Sequence, residues 1–169
     1  LTPLVQKIYL KLTPPSLDDN TADHQRLCQA VSKAVGLPVA HIGLETVRLL
    51  PSLLRESGYK VTVTTGLRYG GADILDVQAG DTSTRNYAAV IDIGTTTIVV
   101  HLIDTSVVRT IGVKACFNSQ GAYGREVTAR IISAEKKGVD ELRGVLLDDI
   151  NRLIGELASQ HDIAIRDIT

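Results

Sequence analysis

"AAVIDIGTTTIVV", residues 88–100, joins two apolar runs through one acid, one glycine and three consecutive threonines. Residues 88–93 predict a strand, and the stretch from about Thr97 to Asp104 predicts the strand that runs back. Asp92 closes the first run, where burial is expected and an unpaired carboxylate is costly. Gly94 allows a tight turn and a close approach of ligand to backbone. Thr95, Thr96 and Thr97 bring hydroxyls, and their N–H groups can converge into an anion-binding nest. Mg²⁺, a hard cation that takes carboxylate oxygens together with substrate phosphates, would neutralise Asp92. The chemistry is that of a Mg-nucleotide lying with its phosphates over a hairpin. A plain hairpin whose Asp and Thr groups bond their own backbone meets the same pattern.

Downstream, "TSVV" is a tight connection and "RTIGVKACF" a third strand. Short connections make the three strands an antiparallel meander. "GREVTARIISAEKKG" predicts a helix with Val127, Ile131 and Ala134 inward. A longer helix carries Leu142, Leu146, Ile150, Leu153 and Leu157 as one stripe. Asn118, Gln120 and Tyr123 cluster before the first helix. Capping is the favoured reading there, and lining a ligand or partner site is the other.

Upstream, "VQKIYLKL" alternates as a half-buried strand, with Ile8, Leu10 and Leu12 on one face. "TPPSLDDNTAD" is a turn cluster in which Asp18 and Asp19 serve turn chemistry. Asn20 or Thr21 would cap a helix that Gly36 closes. Leu44, Val47 and Leu50 suggest a second helical piece, which Pro51 breaks or restarts. "YKVTVTTG" is a strand, Gly70-Gly71 a hairpin turn, and "DILDVQ" its partner. "AGDTSTRN", residues 79–86, reads as a linker. The expected organisation is therefore a small α+β domain over 1–86 and a second α+β or α/β unit over 87–169.

The 169 residues can bury a core, and 44% apolar with 22% charged residues place the chain among globular proteins. A net charge of −1 gives no pull toward nucleic acid or an acidic membrane. No apolar run reaches the roughly 20 residues of a membrane span, and a cytoplasmic location is expected. Cys28 and Cys116 stand too far apart for metal-ligand spacing and read as reduced, buried thiols. His24, His41, His101 and His161 are scattered, and no nucleophile–base pair emerges from spacing. The lack of methionine and the start on Leu1 in mid-pattern suggest a piece of a longer protein.

"DIGTTT" between two apolar strands resembles the first phosphate loop of the superfamily of acetate and sugar kinases, heat-shock chaperones and actin. That resemblance implies a ribonuclease H-like half-domain, Asp92 in the Mg²⁺ shell, and phosphate contacts from Gly94, Thr95 and Thr96, with Thr97 beside them. "YLKLTPPSLDDNTAD", "AGDTS", "IDIGTTT" and "FNSQGAYGREVTARI", in that order, resemble the ATP-dependent reductive activators of corrinoid proteins. Two positions depart from that family: Asn118-Ser119-Gln120 stands for Asn-Pro-Gln, and Glu126 stands for Asp. The resemblance makes residues 1–86 the middle domain and 87–169 the start of the nucleotide domain.

It further implies a Mg-ATP site held in part here, and a [2Fe–2S] cluster in the parent protein with no ligands in this chain. The implied partner is a corrinoid iron–sulfur protein or a corrinoid methyl carrier. The edge left after the third strand makes homodimerisation a further expectation. Two other readings stand beside this one: a fragment of a small-molecule kinase of the same superfamily, and a non-enzymatic docking or dimerisation module.

Overall fold

The computed structural model describes residues 4–169, which divide between Asn86 and Tyr87 into two units. Both are α+β. Leu1, read above as mid-pattern, lies outside the described residues.

The first unit runs β1 (Val5–Lys11), α1 (Asp23–Val35), β2 (Val39–Ile42), α2 (Leu44–Glu56), β3 (Lys60–Arg68) and β4 (Gly71–Ala79). Its sheet has the order β1-β3-β4-β2, antiparallel except where β2 joins β4 in parallel. Leu27 and Val31 of α1, Leu50 and Leu54 of α2, and Val61, Val63, Ile74 and Val77 of the sheet form one buried cluster. Each such side chain contributes about 1.5–3 kcal/mol over its exposed state.

Local readings here need four corrections. The helix begins after Ala22, without a side-chain cap, so neither Asn20 nor Thr21 caps it. Asp19 braces that start instead, accepting from the Thr21 N–H at 3.1 Å and from Arg26 at 2.6 Å. The Arg26 guanidinium holds the Asp19 carboxyl well below the usual carboxylate range. Pro51 lies inside a continuous α2. It cannot donate to the carbonyl one turn earlier, but Leu50 and Leu54 are 1% and 0% exposed and anchor the helix on both sides of it.

The hairpin turn is Tyr69-Gly70, both with positive φ, and Gly71 already belongs to β4. A Cβ on Gly71 would sit 2.8 Å from the Ala40 Cβ, so this glycine admits β2. The supposed linker is partly tied down: Thr62 Oγ1 donates to the Gly80 carbonyl and accepts from the Thr82 N–H, each at 2.8 Å.

The second unit is the meander β5 (Tyr87–Ile93), β6 (Thr97–Asp104) and β7 (Arg109–Phe117), with β6 central. A 3-10 turn (Ser119–Tyr123), α3 (Val127–Lys137) and α4 (Asp140–Gln160) follow. Ile150, Leu153 and Leu157 of α4 pack on Ile98, Val100 and Leu102 of β6. The stripe is thus real at its C-terminal end, while Leu142 and Leu146 are half-buried.

For α3 the expected inward face is wrong. Val127 and Ile131 are each 52% exposed, and Arg130 is the buried residue of that helix. β5 is an edge strand that pairs with β6, and at its start Ile168 forms a single parallel bridge to Tyr87.

Candidate functional site

The hairpin between β5 and β6 is built around Gly94. Its N–H donates to the Thr97 carbonyl at 2.9 Å, and a Cβ at position 94 would lie 2.8 Å from that same oxygen. Only glycine fits so close an approach.

All three carbonyls of the turn are held from the segment after β7. The Asn118 Nδ2 donates to the Gly94 oxygen at 2.9 Å. The Asn118 N–H donates to the Thr96 oxygen at 2.8 Å. The Arg130 Nη2 donates to the Thr95 oxygen at 2.5 Å. Peptides here are trans, so C=O and N–H of one peptide unit point in opposite directions. Fixing these carbonyls therefore turns the N–H groups of Thr95, Thr96 and Thr97 away from Asn118 and Arg130.

Thr95, Thr96 and Thr97 are exposed. Their hydroxyls, and the N–H groups of Thr95 and Thr96, have no protein partner among the described residues. Exposed donors grouped on one turn are the kind of groups that an anion takes as partners. A cavity of about 350 Å³ adjoins the network, lined among others by Thr95, Thr96, Phe117, Asn118, Arg125 and Arg130.

The support is itself braced. The Asn118 Oδ1 accepts from the Gln120 N–H at 3.0 Å, capping the 3-10 turn, and the Gln120 Nε2 donates to the Leu142 carbonyl at 2.9 Å. The Ser119 N–H donates to Asp149 Oδ2 at 2.9 Å. Burial pushes the Asp149 carboxyl up. The hydrogen bonds from Ser119 and the Arg152 guanidinium more than reverse this, leaving it below its ordinary value.

Asp92 is exposed, not buried as its apolar run suggests. The reason is topological: β5 is the sheet edge, and Val90 and Ile93 beside it are 51% and 52% exposed. The carboxylate is solvated without a counter-charge and has no protein partner among the described residues. Its position two residues before Gly94 still puts it on the strand that leads into the turn.

Asn118 does cap, as favoured, and also reaches the β5–β6 turn. Gln120 does not cap, since its N–H is the group that Asn118 caps and its side chain ties the 3-10 turn to the Leu142 carbonyl. The residue that sequence reasoning missed is Arg130. The one available signal was its place inside "TARII", a charge interrupting an apolar stretch. Cys28 and Cys116 are free and half-buried rather than buried, and burial pushes the Cys28 thiol up. Among the described residues no group of three His, Cys, Asp or Glu side chains could hold a metal ion. No helix among them is long and apolar enough to cross a membrane.

Comparison with known families matches residues 1–84 to the RACo linker region and residues 87–169 to the RACo middle region. The word "middle" thus falls on the second unit, where the resemblance above put it on residues 1–86. A solved structure described as a reductive activator for corrinoid, iron–sulfur protein matches with a TM-score of 0.82 and 34% identity. The match covers 100% of this chain and 27% of that one, so the chain spans about a quarter of the length of that relative. No curated protein matches. With both matched regions belonging to one family and together running almost end to end, the chain belongs to the RACo family.

Proposed function

We propose that this chain is the linker-and-middle part of a protein that uses ATP to drive reductive reactivation of a Co(II) corrinoid. The corrinoid would be carried by a corrinoid iron–sulfur protein or a corrinoid methyl carrier. The second unit is then the start of a nucleotide domain of the acetate and sugar kinase, chaperone and actin superfamily. The observation that carries the reading is the threonine turn, with its three carbonyls held behind and its hydroxyl and N–H donors left unused.

The residues fit one end of a Mg-nucleotide. Gly94 gives close backbone approach, and Thr95, Thr96 and Thr97 supply donors to phosphate oxygens. Asp92 supplies one carboxylate, enough for an ion that arrives with phosphate and water as its other ligands. The residues do not fit a [2Fe–2S] cluster, because the chain's two cysteines fall short of the four thiolates such a cluster takes.

ATP would supply the bias that an uphill electron transfer needs. Different affinities of two conformations for the nucleotide shift the population toward the competent one. This chain's part is to bind the phosphates at residues 94–97 and to couple that event to its own β5–β6 hairpin. Asp92→Ala in the full-length protein is expected to abolish Mg-ATP-stimulated corrinoid reduction, followed by the absorbance change of the corrinoid. Undiminished stimulation would remove Asp92 from the mechanism.

A further inference from the structure

We infer that Arg130 is a positioning residue for the threonine turn, aiming its donors and lending it an uncancelled positive charge; the inference rests on the Mg-nucleotide reading above. Arg130 is 7% exposed, yet no carboxylate pairs with it among the described residues. Its guanidinium instead bridges three acceptors from two segments: the Thr95 carbonyl of the β5–β6 turn at 2.5 Å and, from the 3-10 turn and its C-cap, the Gly124 carbonyl at 2.9 Å and, at a long 3.5 Å, Gln120 Oε1.

A buried cation without a counter-ion is costly, and carbonyl dipoles offset only part of that cost. An arrangement that served shape alone would be met by a neutral donor, or by an arginine paired with an acid as Arg26 is with Asp19. Here the charge is left to act on whatever occupies the turn, which favours an anion. The geometry adds direction. Thr95 C=O and Thr96 N–H belong to one trans peptide, so holding the oxygen fixes the donor on the opposite side.

The local sequence permits this and little else. A Cβ at Gly124 would lie 2.6 Å from the Ala129 Cβ, so only glycine lets the chain fold back close enough for its carbonyl to meet Arg130. With Val127 and Ile131 half-exposed, Arg130 is also the side chain that fastens α3 to the turn.

The test is equilibrium titration of the full-length protein with Mg-ATP, comparing wild type with Arg130→Gln and Arg130→Lys, each checked for folding by circular dichroism. The expected result is a roughly tenfold weaker affinity for folded Arg130→Gln, the scale of one lost charged hydrogen bond. Arg130→Lys keeps the charge but cannot span three acceptors, and is expected to lose less, roughly threefold. Variants that melt earlier but bind Mg-ATP like wild type would make Arg130 a structural residue only and overturn the inference. Should the Gln variant not fold, the Lys variant decides: unchanged affinity overturns it. A wild type that binds no Mg-ATP overturns the underlying reading and the inference with it. Binding that depends on Thr95 or Asp92 but not on Arg130 sinks the inference alone.

Discussion

The two units use threonine-rich strands in opposite ways. In β3, Val61 and Val63 are 0% exposed and Thr62 is 0% exposed between them, its hydroxyl engaged on both sides by Gly80 and Thr82. In the hairpin of the second unit, Val90 and Ile93 are half-exposed and the hydroxyls of Thr95, Thr96 and Thr97 bond to nothing in the described protein. Residue type is the same, and the neighbours differ. Thr62 lies within β3, between β1 and β4, whereas Thr95 and Thr96 lie in the turn beyond the end of the edge strand β5 and Thr97 is the first residue of β6. Polar groups satisfied internally hold a fold together; polar groups aimed and left unsatisfied are available for a ligand.

The contrast can be broken first by stability. Leu54→Ala in the first unit and Leu153→Ala in the second remove side chains that are 0% and 1% exposed, and each should cost about 2–5 kcal/mol in denaturant unfolding. Ile93→Thr, on the exposed strand, should stay within about 0.5 kcal/mol. A large loss at Ile93 would mean that β5 is covered, and the comparison would fall.

A smaller effect sharpens the account of how the turn is supported. The Asp149 carboxyl has a lowered pKa, so its stabilising contribution is full above the unfolded carboxylate value of about 3.9 and is lost as pH falls through the lower folded value. The melting-temperature gap between wild type and Asp149→Asn should therefore be widest near neutrality. It should shrink as pH drops below about 4. A gap independent of pH would show that the charge on Asp149 does not brace the Ser119 turn.

Much of the fold was legible because its signals are local. The meander followed from apolar alternation and short connections, and the α4 stripe at Ile150, Leu153 and Leu157 followed from helical spacing. β2 was not legible. It has four residues without alternation, and it is defined by parallel pairing with a strand some thirty residues later. Pro51 misled because the cost of its missing N–H is local, while the burial of Leu50 and Leu54 that offsets it is tertiary.

The same division runs through the site. The turn itself could be read from "DIGTTT", since Gly94 and the hydroxyls are sequence neighbours. The exposure of Asp92 depends on what flanks β5, which no local pattern encodes. Arg130 was hidden because a charge on a short helix ordinarily reads as solvated. Its partners, Thr95 and Gly124, lie 35 and 6 residues away.

The central claim is that Asp92 and the threonine turn together receive a Mg-nucleotide. The most direct measurement is the dissociation constant of ATP for the full-length protein, with and without Mg²⁺, in wild type and Asp92→Asn. The account expects Mg²⁺ to tighten ATP binding to wild type and to lose most of that effect in the variant, while both fold alike. A variant that keeps the full Mg²⁺ dependence would contradict it, and the metal would have to be held elsewhere.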